Sequence, residues 1–279
     1  MDLAAKNGQL EVIQWLHENR AEGCTAAAMN GAAGNDHLEI VQWLYENRSE
    51  GCTSVAVRHA AANGHLEVLE WLHKHYGTLF QRSQVNIMDD AASRGQMNVV
   101  KWLHDNDTEG CTAAAIDGAA ARGHFEVVQW LHARRAEGCT TKAMDLAACN
   151  GHLEIVRWLH GHTSAGCTTD AMDLAAKGGY LDIVVFLHEN LSGGCTSRAM
   201  DHAAENGHLA VVRWLHEHRT EGCTVDAMNA AARNGNLRLL QFLYENRTEG
   251  CEPRALARAA YTGQLASPDE AEQIMFLHG

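Results

Sequence analysis

Three residue types recur at fixed distances along this chain, and each could in principle do chemistry. Cysteine stands in Gly-Cys-Thr at Gly23-Cys24-Thr25, Gly51-Cys52-Thr53, Gly110-Cys111-Thr112, Gly138-Cys139-Thr140, Gly166-Cys167-Thr168, Gly194-Cys195-Thr196 and Gly222-Cys223-Thr224; Gly250-Cys251 opens an eighth copy. Histidine precedes several of these cysteines by seven residues, as in His104–Cys111, His132–Cys139 and His160–Cys167. An acidic column runs through Asp2, Asp89, Asp117, Asp145, Asp173 and Asp201, with Asn30 and Asn229 substituting and Arg58 breaking it. Cysteine with histidine suggests zinc, paired cysteines suggest disulfides, and paired carboxylates suggest acid–base catalysis.

None of the three chemistries survives the spacing. Zinc needs four clustered ligands. One His and one Cys per layer do not supply them, and Tyr45 and Tyr244 replace the His without other change. Equivalent cysteines in neighbouring stacked repeats lie about 10 Å apart, whereas a disulfide needs Cα atoms within about 7 Å. The column cysteines are therefore expected to be buried, reduced thiols; Cys149, outside the column, is expected to be exposed. A regular ladder of carboxylates gives neither a pocket nor a split of pKa values. No nucleophile elbow, phosphate-cradling glycine loop or zinc-protease motif appears. The expectation is a protein that is not an enzyme, with no catalytic residue, no cofactor and no metal.

Charge and composition narrow the partners. The 279 residues carry a net charge of −13 and no basic run, so nucleic acid and anionic membrane are poor partners. No stretch approaches a membrane span, and the first residues do not read as a secretion signal. Reduced cysteines and the absence of a signal point to an intracellular protein, cytoplasmic or nuclear.

The elements that position these residues follow from the repeat. Its period is 28 residues, except for 59 between Cys52 and Cys111, a gap of two repeats with three extra residues. The sequence divides into a partial unit 1–20, full units 21–48, 49–76, 77–107, 108–135, 136–163, 164–191, 192–219 and 220–247, and a divergent unit 248–279, all in one domain. Each unit reads as two short helices. The Thr caps the first, whose apolar stripe is Ala143, Met144, Ala147 and Ala148 in one unit. Asn150-Gly151-His152 breaks the chain, and Leu153 to His160 form a second helix with a broader apolar face. A polar loop such as Arg20-Ala21-Glu22 returns the chain.

The run Ala-Ala-x-x-Gly-His-Leu-Glu-Val-Val-x-x-Leu, ending at Leu72, Leu131, Leu159 and Leu215, resembles the ankyrin repeat. The resemblance covers essentially the whole chain and implies an all-α solenoid of about ten stacked helix-turn-helix units. Ankyrin units average about 33 residues and start their first helix with Thr-Pro-Leu-His. Here Ala-Met-Asp stands in that stretch, and the missing residues fall where ankyrins place a β-hairpin finger. A right-handed stack with the fingers largely absent is expected.

The columns then have roles. Trp15, Trp43, Trp71, Trp102, Trp130, Trp158 and Trp214, with Phe186 and Phe242 substituting, pack between repeats or form a convex ladder for a partner. One His column follows Gly and implies loop hydrogen bonding, by resemblance. The other ends the second helix, where a cation is favoured. The Asp column either holds loops together as an acceptor or offers a ligand an acidic ladder.

In ankyrins the first helix lines the concave groove, so the residues opposite its core stripe are the candidate site. Repeats two to five present small side chains such as Ala27, Gly34, Ala62, Ala114 and Ala121; later repeats present Lys142, Asp170, Lys177, Arg198, Glu205, Asp226 and Arg233. In the long unit, Phe80 is expected to be exposed beside Arg82 as an interface anchor, with Ser83 taking over the cap. The function read from this is a non-catalytic scaffold that binds a protein or peptide through the concave first-helix face. The acidic excess favours a partner with a basic segment lying over the small side chains. The alternative is a structural module that self-associates end to end, because Met1-Asp2-Leu3-Ala4-Ala5 begins inside a first helix and exposes a stacking face.

Overall fold

Seven of the first helices start at a threonine whose Oγ1 accepts the N–H two residues on. Thr25 accepts from Ala27 at 3.1 Å, Thr112 from Ala114 at 3.1 Å and Thr196 from Arg198 at 3.2 Å. This satisfies one of the N–H groups that a helix leaves free at its start. The helices then alternate in pairs: α1 (Asp2–Lys6) with α2 (Leu10–Asn19), α3 (Ala26–Gly34) with α4 (Leu38–Asn47), and α5 (Ser54–Asn63) with α6 (Leu66–Tyr76). A short α7 (Thr78–Gln81) follows. The pairs resume with α8 (Ile87–Ser93) and α9 (Met97–Asp105), α10 (Ala113–Ala121) and α11 (Phe125–Arg134), and α12 (Thr141–Cys149) and α13 (Leu153–His162). They continue through α14 (Thr169–Gly178) and α15 (Leu181–Asn190), α16 (Ser197–Glu205) and α17 (Leu209–His218), and α18 (Val225–Arg233) and α19 (Leu237–Asn246). This is a computed structural model, and it describes residues 1–81, 87–106 and 110–252. Among the described residues there is no strand.

The turn between the two helices of a pair needs a left-handed residue. Gly179 takes it at φ +78°, and a Cβ there would lie 2.6 Å from Nδ1 of His208 in the next repeat. Glycine is thus required twice, by conformation and by close approach. In one repeat the position is filled by Asp36 at φ +64°, the one non-glycine residue with positive φ among those described. Asp and Asn tolerate this region better than other side chains. The Asp36 carboxylate lies 3.5 Å from Nδ1 of His65.

The core of each pair is the expected stripe. In the second repeat Ala28, Met29, Ala32 and Ala33 of α3 face Ile40, Val41 and Leu44 of α4, all buried. Alanine on the first helices lets them approach one another closely, and the branched residues of the second helices fill the remaining volume. The chain divides into two compact units, 1–143 and 144–279. In the first, α1, α3, α5, α8 and α10 contact one another in succession, with α7 against α5 and α6. In the second, α14, α16 and α18 do the same, as do α13, α15 and α17.

Candidate functional site

The Asp column is a set of clamps between repeats. Asp173 accepts the backbone N–H of Thr196 at 2.8 Å through Oδ1 and its hydroxyl at 2.6 Å through Oδ2. The same pair of bonds joins Asp2 to Thr25, Asp89 to Thr112, Asp117 to Thr140, Asp145 to Thr168 and Asp201 to Thr224. Each threonine therefore caps its own helix and ties it to the repeat before. Asn30 reproduces the clamp with one bond reversed: Oδ1 accepts the Thr53 N–H at 3.0 Å and Nδ2 donates to its hydroxyl at 3.0 Å. Asn229 accepts the N–H of Glu252 at 2.8 Å. Burial pushes the Asp145 and Asp201 carboxyls up, and the Thr hydrogen bonds oppose it. The acceptor role is thus the one the column performs, and its carboxylates are engaged within the stack.

The histidines that end the second helices pack on the next repeat. His17 meets Trp43 edge-on at 5.3 Å, His73 meets Trp102 at 5.2 Å, His104 meets Trp130 at 5.2 Å, and His188 meets Trp214 at 5.1 Å. Tyr45 does the same to Trp71 at 5.2 Å. An edge-to-face pair is worth about 0.5–1.5 kcal/mol beyond its burial, and the aromatic column is accordingly half-buried at the seam. Trp15 is 58% exposed. The dipole role expected for these histidines missed this contact, although tyrosine standing in for histidine signals an aromatic edge rather than a charge.

A third ladder lies in the return loop. Arg48 forms a two-pronged ion pair with Glu50, its Nε 3.2 Å from Oε2. Its guanidinium also reaches back to the Cys24 thiol at the start of the same unit. Arg135, Arg219 and Arg247 pair with Glu137, Glu221 and Glu249 and reach Cys111, Cys195 and Cys223 in the same way. The sequence signal for it is Arg-x-Glu before Gly-Cys, absent where Thr163 and Leu191 occupy the arginine position. None of the nine cysteines is joined in a disulfide. Burial was expected of all eight in the column, but only Cys111 and Cys195 are buried and the rest are half-buried. The reason is that the thiols face a seam covered by one long side chain rather than by the core. Burial pushes the Cys52 thiol up to about 12 and those of Cys167, Cys195 and Cys223 to about 11.

The candidate residues of the second unit come together. Arg198, Asp201, His202 and Glu205 of α16 and Asp226, Ala230 and Arg233 of α18 line an open cleft of about 310 Å³. Arg198 forms an exposed ion pair with Asp170 of α14 at 3.3 Å. Lys177 is exposed on α14 but is not among the cleft residues, and Lys142 is exposed on α12 in the other compact unit. No group of three or more His, Cys, Asp or Glu arranged to hold a metal occurs among the described residues. None of the described helices is long and apolar enough to cross a membrane.

The family model for ankyrin repeats (three copies) matches residues 1–82, 88–173, 116–201, 144–229 and 172–256 in overlapping copies. The chain belongs to the ankyrin-repeat family. No curated protein matches it. Within this ankyrin chain the long unit needs a correction. Phe80, expected to be an exposed anchor, is 2% exposed. The three extra residues wind α7, which turns Phe80 inward against His73 at 5.0 Å and Trp102 at 6.2 Å. Arg82 and Ser83 lie outside the described residues.

The small residues of the first unit also have a structural duty in this ankyrin stack. A Cβ at Gly31 would lie 3.0 Å from Cβ of Lys6, at Gly34 3.0 Å from Cβ of His59, and at Gly118 2.6 Å from Cβ of Ser93. These glycines let adjacent first helices touch. The capping of helix ends crosses the seam as well: Asn63 donates to the Gly34 carbonyl at 2.7 Å, Arg122 to that of Ser93 at 3.0 Å, and Asn234 to that of Glu205 at 2.6 Å.

The Arg–Glu clasps have a pH signature. The Arg48 hydrogen bond holds the Glu50 carboxyl down at about 2, against burial, and Arg135 and Arg247 hold Glu137 and Glu249 below the usual range. At Glu221 burial is the largest effect and pushes upward, but the Arg219 hydrogen bond and charge together with backbone N–H bonds outweigh it and hold the carboxyl below its ordinary value. A depressed folded pKa contributes stability that is present above the unfolded value and lost as pH falls through the folded one. Glu50→Gln should therefore cost about 1 kcal/mol near neutral pH. Urea titrations should show that difference constant above the ordinary glutamate pKa and shrinking as pH falls toward 2. A difference that does not depend on pH would remove the ion pair as its cause.

Proposed function

We propose that this protein is a non-catalytic scaffold that binds a protein or peptide partner through the exposed face of its first helices, the face that lines the concave groove in ankyrin-type stacks. The observation that carries this reading is the cleft of the second unit. Glu205, Asp226 and Arg233 are exposed there beside Arg198 and its ion pair with Asp170, whereas the Asp column next to them is engaged in the clamps. Charged side chains at a binding surface set partner choice, on-rate and salt dependence. Lys142 and Lys177 extend the same outward stripe within their own units. The acidic excess of −13 supports a partner segment that is basic on average, met in the second unit by Asp170, Glu205 and Asp226. With a partner recovered by pull-down, Asp170→Lys and Arg198→Glu should each change its affinity about tenfold, more at low salt than at high. Glu126→Lys on α11, a second helix, should leave it unchanged. The opposite pattern would move the interface to the second-helix face.

A specific observation favours self-association as a second reading. Leu3, Val12 and Trp15 of the first pair are 75%, 45% and 58% exposed, on the side where Trp43, Trp71 and Trp214 meet a His or Tyr of the preceding repeat. Sedimentation across a concentration range decides it: a monomer at high concentration removes this reading.

A further inference from the structure

The first unit carries a surface opposite in sign to the protein as a whole. Lys6 ends α1, Arg58 and His59 lie on α5, Arg94 follows α8 and Arg122 follows α10. All belong to the exposed side or the ends of first helices. Arg58 is half-buried and the other four are exposed. Lys6, Arg58, His59 and Arg94 come near one another because α3 has glycine where its neighbours approach, and Arg122 continues the row one repeat on. Gly31 admits Lys6 from one side and Gly34 admits His59 from the other. Arg94 lies across α5, donating to Oδ1 of Asn63 at 3.1 Å, and Arg122 donates to the Ser93 carbonyl at 3.0 Å. These are bonds to neutral groups, so the charges are not cancelled. No carboxylate pairs with Lys6, Arg58, Arg94 or Arg122 among the described residues. The proximity of the cations registers on His59, whose pKa is lowered by burial and then by Arg58, Arg94 and Lys6, with Asp90 opposing.

Arg58 marks the place where the clamp column is broken. Every other described member of that column is an Asp or Asn engaged with the next repeat, and the unit after Arg58 is the one full unit that lacks Gly-Cys-Thr. A cation there stands where the other units place an Asp or Asn acceptor, and it adds to a local positive field in a chain of net charge −13. Like charges gathered without counter-ions destabilise a fold unless something neutralises them.

We propose that the first-helix face of the first unit, around Lys6, Arg58, His59, Arg94 and Arg122, docks an acidic segment of a partner protein. This rests on the reading that first-helix faces are where partners bind, and it assigns this unit the opposite partner chemistry to the cleft of the second. Carboxylates suit the patch better than a phosphate backbone. Basic side chains spaced along successive first helices match a short run of Asp or Glu residues, and the acidic remainder of the molecule repels a long polyanion. Arg58, Arg94 and Arg122 offer planar forks that take carboxylates in a two-pronged fashion.

The test is fluorescence anisotropy of a labelled oligoglutamate peptide with the full chain, at low and at physiological salt. Binding that weakens with salt is expected, with a loss of about tenfold or more in an Arg58→Glu, Arg94→Glu double variant. Lys6→Glu should weaken it by a smaller factor. Arg94→Lys, which keeps the charge, should retain most of the binding. Arg134→Glu on α11 and Arg238→Glu on α19, exposed on second helices, should bind as wild type does. Circular dichroism identifies any variant that has lost its helices, and the neutral Arg94→Gln variant then takes its place. Four results would overturn the proposal: no oligoglutamate binding at low salt, equal loss in both sets of variants, no loss in the first-unit variants, or tighter binding of an oligonucleotide than of oligoglutamate. If a recovered partner is sensitive to Asp170 and Arg198 but not to Arg58 and Arg94, the general binding reading stands and this one falls.

Discussion

Asp173→Ala should lower the unfolding free energy by about 3 kcal/mol, and Asp173→Asn by only about 1. Asp173 is fully buried, and both its carboxylate oxygens accept from Thr196, at 2.8 and 2.6 Å. The alanine variant removes two hydrogen bonds to a charged acceptor and strands the N–H that begins α16. The return of desolvation energy offsets part of that loss. Asparagine keeps the N–H bond and reverses the other, the arrangement already present between Asn30 and Thr53. Urea unfolding followed by circular dichroism measures both, and a double cycle with Thr196→Ala isolates the clamp. Equal losses for the two variants would mean that the charge matters and the hydrogen-bond pattern does not. A loss under about 1 kcal/mol for alanine would remove the clamp as a tie between repeats.

Gly179→Ala should cost about 3 kcal/mol, from two separable sources. An alanine at φ +78° costs about 1–2 kcal/mol for its conformation. Its Cβ would then lie 2.6 Å from His208 Nδ1, so the ring must leave its seat in the seam, at a further 1–3 kcal/mol or so. Restricting the unfolded chain returns up to about 1 kcal/mol. In a His208→Ala background the contact is gone and the conformational cost remains, so Gly179→Ala should then cost about half as much. If the cost is the same in both backgrounds, the ring is not what excludes a side chain there. Because stacked repeats interact mainly with their neighbours, the loss should be largest in the repeats on either side of the turn.

Much of this molecule was legible in one dimension. The 28-residue period, the threonine cap, the glycine turn and the Ala-Ala stripe each follow from local rules, so the helix pairs and their buried faces were readable from any single unit. The outward positions were readable too: Lys142, Asp170, Lys177, Arg198, Glu205, Asp226 and Arg233 are all exposed. The Asp-to-Thr clamp was half visible, since the unit after Arg58 is the one full unit without Gly-Cys-Thr.

What the sequence did not determine is what each column meets across the seam. A period says that Cys24 and Cys52 are equivalent. It does not say that Arg48 covers the first and that Tyr76 approaches the turn at Gly51 beside the second. That depends on the rise and rotation from one repeat to the next, which every side chain in the seam sets together. Hence the second His column was read as a set of helix-end charges and proved to be aromatic edges against the next repeat. Phe80 shows the same limit on a smaller scale. Three added residues wound a helix, and the ring found a seat between His73 and Trp102, a place that exists only once two successive repeats are stacked.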